Sequence, residues 1–265
     1  ERPDLKPASI SEWLWYRALI GRAFLKDPGI QAAEYAYLPE EIAPWIHPLV
    51  PETDQPSGRP ATPVESAHAC PATDGILDQA CSLLAWLRLG QPLENFAVQP
   101  GEADAGFLHA LLREAHLVDS DDMPMADEVR EFLEKPRGEA LLQLAHAWME
   151  ARYLNELRLM PELICEGDWY NDPRQARAAV VDWVGRIPAG RWWSLVGLLR
   201  ALHQRQPDYL RSAGDYDAWF IRDRRSGEFL RGFESWESVD GAMAAYIVTG
   251  PLHWLGIVDL AAPQA

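Results

Sequence analysis

At 265 residues, with 48% hydrophobic and 24% charged side chains, the chain has enough apolar mass to bury a sizeable core. Its formal net charge of −16 argues against a protein built chiefly to grip nucleic acid, because phosphates would repel it. The three cysteines, Cys70, Cys81 and Cys165, lack paired spacing, so no disulfide framework is evident and a reducing compartment is expected.

The charge is uneven. Residues 1–135 hold 23 acids and 10 bases (net −13), whereas residues 136–265 hold 17 acids and 14 bases (net −3), and all 14 are arginine. A nearly neutral, arginine-only half can present a local basic face. No apolar run reaches the roughly 18 residues of a membrane span, and no leader pattern opens the chain, so the cytoplasm is the expected compartment.

Residues 1–50 open with a helix from about Ser9 or Ser11 through Trp13, Leu14, Arg17 and Ala18. Arg22–Leu25, the Asp27-Pro28-Gly29 turn and Glu34–Tyr37 read as a hairpin. Pro39 then starts a short helix through Trp45 and Ile46, with Glu40 and Glu41 where the helix dipole favours acids. Helix plus hairpin is a partial winged-helix-like unit, too small to stand alone. Residues 51–72 are rich in proline and lack apolar periodicity, so they read as a linker, mobile or extended.

Residues 73–160 read as a helical middle domain. Ile76, Ala80, Leu83, Leu84 and Leu87 make one helical stripe, and Phe107, Leu108, Leu111 and Leu112 another. Asp127–Phe132 gives a short helix. Leu141, Leu142, Leu144, Ala145 and Trp148 spread around a helix, which predicts burial on most sides.

Residues 161–265 have the most explicit organisation. Asp172 and Pro173 cap a helix to about Arg186, with Ala176, Val180, Trp183, Val184 and Ile187 on one stripe. Ser194 caps another, with Leu195, Leu198, Leu199 and Leu202 on one face. Trp219–Ile221 and Phe229–Leu230, joined by the polar loop Asp223–Gly227, predict a β-hairpin. A third helix through Val239, Met243, Tyr246 and Ile247 stops at Gly250-Pro251, and Gly256–Leu260 reads as a closing strand. The expected fold is therefore mainly α (α+β in class), built of tandem winged-helix-like units with short β-hairpins.

The runs RWWSL, AGDYDAWFIRD, GEFLRGFESW and TGPLHWLGIVDL, with LIGRAFLKDPGIQAAEYAYLPEE near the start, resemble uncharacterised bacterial proteins related to the N-terminal domain of XPB-type DNA helicases. The resemblance covers both ends of the chain and is weaker between them. It implies helicase-associated, winged-helix-like modules without the motor, and the sequence has no Walker A glycine–lysine loop.

Among candidate site residues, Arg222, Arg224, Arg225 and Arg231 lie at or near the hairpin loop, where a wing would touch phosphates. Asp223 and Glu228 partly neutralise them, so a solvated turn with weak ion pairs is the competing reading. Most of the twelve tryptophans fall on apolar stripes and read as core. Trp192 and Trp193 differ: adjacent residues at a helix start cannot both face inward, so one of them is a candidate partner anchor. His68-Ala69-Cys70 with Cys81 lacks the paired ligand steps of a zinc site, and Asp119, Asp121 and Asp122 lack the rest of a calcium loop. Glu166, Asp168, Trp169 and Tyr170 form the most site-like acidic cluster, beside the Asp172 cap.

The leading expectation is a non-catalytic binding or assembly module that contacts a protein partner or nucleic acid through its C-terminal unit, with no cofactor and no membrane. A hydrolase with a tryptophan-lined cleft and paired carboxylates is the alternative, and it requires a deep pocket holding two acids, one of them desolvated.

Overall fold

Caps and apolar stripes place most helices where periodicity predicts them. The computed structural model describes residues 7, 9–25, 33–42, 56–211 and 215–264. Helix α1 (Ile10–Tyr16) begins at Ser9, whose hydroxyl accepts the Glu12 N–H, and none of its residues is buried. Strands β1 (Gly21–Leu25) and β2 (Ala33–Tyr37) pair antiparallel, Gly21 opposite Tyr37. The predicted Asp27-Pro28-Gly29 turn and the helix through Trp45 and Ile46 lie outside the described residues.

The described part of the proline-rich run, 56–72, has a turn at residues 63–66 and is otherwise largely extended but held. Ala61 N–H donates to Trp192 O, Ser194 N–H donates to Arg59 O, and Pro60 bridges Trp193. Strand β3 (His68–Cys70) then pairs antiparallel with β6 (Leu260–Ala262) at the far end of the chain. An extended backbone cannot satisfy its own polar groups, so this strap takes partners from the C-terminal half.

Helices α2 (Gly75–Arg88), α3 (Ala105–Glu114), α4 (Ala126–Glu134), α5 (Arg137–Glu150) and α6 (Glu156–Leu159) follow. Both predicted stripes are buried, Ile76 to Leu87 on α2 and Phe107 to Leu112 on α3. Helix α5 departs from expectation. It buries Ala140, Leu144 and Trp148 along one side, while Leu142 is 54% exposed.

The remainder comprises β4 (Leu163–Glu166), α7 (Pro173–Gly185), α8 (Leu195–Arg205), β5 (Phe220–Asp223), α9 (Ala242–Thr249) and α10 (Pro251–Trp254). Asp172 caps α7 and Ser194 caps α8 through side-chain oxygens. A 3-10 turn (Phe233–Ser235) and a single π turn (Glu237–Gly241) lead into α9.

Two predicted strands move. The hairpin expectation puts the ladder between 219–221 and 229–230, but β5 makes its full ladder with β4, from Leu163 opposite Asp223 to Glu166 opposite Phe220. The return strand keeps one bridge, Arg222 to Phe229, and Gly232, with φ of 69°, ends it. At the C-terminus, Gly256 (φ 75°) turns residues 257 and 258 back onto Leu252 O, so the strand starts at Leu260 rather than Gly256.

The described residues thus form a mainly α fold of α+β class, with three two-stranded antiparallel sheets. Buried residues from Ile76 to Leu255 make one cluster, so 73–160 and 161–265 share a core. Two fully buried ion pairs sit in it. Arg177 uses all five guanidinium hydrogens: Nε and Nη2 reach the Glu156 carboxylate at 2.6 and 3.0 Å. Nη1 donates to Trp148 O and Ala151 O, and Nη2 also donates to Leu154 O. These carbonyls close the end of α5 and the turn into α6, where helical partners run out. Arg211 pairs with Asp240 on the π turn, Nε to Oδ2 at 3.0 Å, and Asp240 Oδ1 has no hydrogen-bond partner among the described residues.

Candidate binding surface

Side chains alternate across β5. Ile221 points inward and is fully buried, and the neighbouring Trp219 stacks on Trp169 with ring centroids 4.7 Å apart. Phe220, 46% exposed, and Arg222 take the outer face. Phe229, on the return segment, meets Phe220 edge-on at 6.3 Å. The Arg222 guanidinium lies 3.5 Å from the centroid of the Phe229 ring and that of Arg231 lies 4.6 Å from it. The outer face is therefore a patch of two phenylalanines and two arginines, with Phe220 and Arg231 exposed and Arg222 and Phe229 half-buried.

The four predicted arginines do not act alike. Arg222 is fixed by Glu166 Oε1 at 3.0 Å and by Gly227 O at 3.0 Å. Arg224 folds back along β4, its Nε donating to Pro161 O at 2.6 Å and Nη2 to Leu163 O at 3.1 Å. Arg225 sits at the tip, and its side chain has no hydrogen-bond or ion-pair partner among the described residues. Arg231 is exposed over Phe229. The tip is shaped by Asp223, whose carboxylate accepts the Arg225 and Ser226 N–H groups. Those backbone donors, Ser226 first, hold the Asp223 carboxyl below the usual carboxylate range.

Trp192 and Trp193 occupy another place, the seam with the strap. They precede the Ser194 cap in extended backbone, so strand-like alternation separates them rather than helix geometry. The Trp193 indole N–H donates to Ser57 O at 2.8 Å, and Trp192 is left 38% exposed.

The paired-acid alternative calls for a deep pocket holding two acids, one of them desolvated. Two small cavities flank α2, and Asp78 and Glu102 are the carboxylates on their walls. Asp78 is exposed and ion-paired to Arg137, which lowers its pKa. The acids that burial does push up, Asp240 to about 6 and Asp215, line neither cavity. Glu166 and Trp169 hold loop and sheet together, with the Trp169 indole donating to Glu166 O. No group of three or more His, Cys, Asp or Glu side chains among the described residues could hold a metal ion, and no described helix is long and apolar enough to cross a membrane.

Sequence reasoning missed Phe220 as a surface residue, because it sits in a strand-forming run. The period-2 alternation against Ile221 was the available signal. Comparison with known protein families, characterised proteins and solved structures gives no match to this chain.

Proposed function

We propose that the chain is a non-catalytic binding or assembly module of the helicase-associated kind, and that it docks a protein partner through the outer face of β4 and β5. The patch of Phe220, Arg222, Phe229 and Arg231, in which Phe220 and Arg231 are exposed, carries this reading. Aromatic and arginine side chains dominate interface hot spots, and here their mutual stacking lowers the entropy lost on docking. The order α6, β4, α7, α8, β5 and return segment supports a winged-helix-like reading of this part of the chain.

A protein is favoured over nucleic acid because acids interleave with the bases. Glu162, Glu166, Asp223 and Glu228 share the β4–β5 region, and Arg224 is engaged by two carbonyls. The test is affinity capture from the source cell with the intact chain, Phe220→Ala, Arg231→Glu and, as a remote control, Arg186→Ala. One partner should be held by the wild type and the control and lost from both patch variants. Low-salt anisotropy with labelled single-stranded and duplex DNA runs in parallel. DNA binding that weakens in Arg225→Ala would replace the protein reading, and no patch-dependent capture together with no DNA binding would refute docking.

A further inference from the structure

The fold gives Cys70 a neighbour that the sequence did not suggest. Its Sγ lies 3.8 Å from Nε2 of His253, 183 residues away, while Nδ1 of the same ring lies 2.9 Å from Val258 O. A carbonyl oxygen only accepts, so Nδ1 carries the hydrogen and the neutral ring turns its Nε2 lone pair toward the thiol. The imidazole is only 9% exposed, which locks that orientation, whereas Cys70 is exposed on β3. Thiol, base and a group that orients the base are the parts of an activated nucleophile.

We infer that Cys70 and His253 form a thiol–imidazole pair that makes Cys70 a site of exchange with small-molecule disulfides. Two further observations agree. The other thiols are held back: burial pushes Cys81 and Cys165 up, with the Asp78 charge adding to the effect at Cys81, and the Cys165 thiol is committed to Leu157 O. His253 also forms part of the wall of a cavity of about 110 Å³, shared with Thr73, Gly75, Gln79 and Trp254, which leaves space beside the imidazole. The nearby Asp259 carboxylate accepts the Ala72 N–H.

In the exchange, the Cys70 proton passes to His253 Nε2 and the thiolate attacks one sulfur of the incoming disulfide. The Cys70–sulfur bond forms as the incoming S–S bond breaks, and the departing thiolate takes the proton back from the imidazolium. Cys70 is oxidised to a mixed disulfide and half of the small disulfide is reduced to a thiol, so electrons balance without another reagent.

The experiment treats the full chain with bis(2-hydroxyethyl) disulfide, an uncharged reagent that the net charge of −16 does not repel. Mixed disulfides at Cys70, Cys81 and Cys165 are quantified separately by peptide mass spectrometry, in folded protein and in urea. Folding should raise the Cys70 rate about tenfold above its own unfolded value and lower the other two. His253→Gln, checked for folding by circular dichroism, should return Cys70 toward its unfolded rate and leave Cys165 unchanged. Mere exposure cannot lift a thiol above its unfolded rate. A folded Cys70 that reacts no faster than in urea overturns the inference, whether or not the variant folds, as does a folded variant with unchanged reactivity.

Discussion

Replacing Arg177 by methionine tests the interior most severely. Methionine keeps much of the side-chain volume but removes five hydrogen bonds: two to Glu156 and three to the carbonyls of Trp148, Ala151 and Leu154. Glu156 is fully buried, and among the described residues its carboxylate's only other hydrogen bond is from the Trp148 indole at 2.6 Å. Breaking a buried pair from one side costs about 3–5 kcal/mol, because the stranded charge has no solvent. The lost carbonyl bonds lie in the same network, so the figure is a lower bound. For a domain of ordinary stability, about 5–15 kcal/mol, a large part of the folding free energy would go. Urea unfolding followed by tryptophan fluorescence reads the change as a fall in midpoint. The double variant Arg177→Met with Glu156→Gln should lose clearly less than the sum of the two single variants, because removing both charges removes the stranded one. A single-variant loss below about 1 kcal/mol, the value of an exposed pair, or strict additivity in the double variant, would refute the argument.

Other consequences follow from particular side chains. Burial pushes the Asp240 carboxyl up to about 6 against an ordinary 3.8, despite Arg211 beside it, so the folded state binds a proton that the unfolded chain has released. Its contribution to stability therefore falls as pH rises from about 4 to about 6, opposite in sign to Asp172 and Asp223, whose lowered pKa values make stability fall as pH drops. Carbon-13 NMR should show the Asp240 carboxyl titrating well above the other aspartates, and a midpoint near 4 would refute the burial argument. Ser194→Ala removes the acceptor of the Gly197 N–H and a bond to Glu65, and should cost about 1 kcal/mol in urea unfolding. Gly58 has φ of 91°, and a Cβ there would meet Gly197 C and Leu198 N at 2.9 Å. Gly58→Ala should thus unseat the strap, with faster protease cleavage within 56–66 and little change at α3.

What the sequence made legible is local. Ser9, Asp172 with Pro173, and Ser194 announce α1, α7 and α8, because a cap and a stripe act within a few residues of each other. Pairing between distant segments was not legible. Strands of three to five residues carry too little alternation to specify a partner, so β5 was expected to pair with its chain neighbour and instead pairs with β4. The same limit hid the chemistry. Arg177 and Arg211 look like any other arginine in the chain, and their acids lie 21 and 29 residues away. The predicted arginines were placed correctly beside a turn, but their stacking depends on Phe229 returning across β5, which no local cue announces.

The meeting of β3 with β6 has a temporal meaning as well. Closing so long a loop is entropically expensive until the intervening helices have condensed. This pairing should therefore form late on folding and fray early on heating, ahead of the shared core. Since Cys70 lies on one side of that junction and His253 just before the other, their contact depends on this pairing. Thiol reactivity at this one position then becomes a chemical clock for the closing of that long loop.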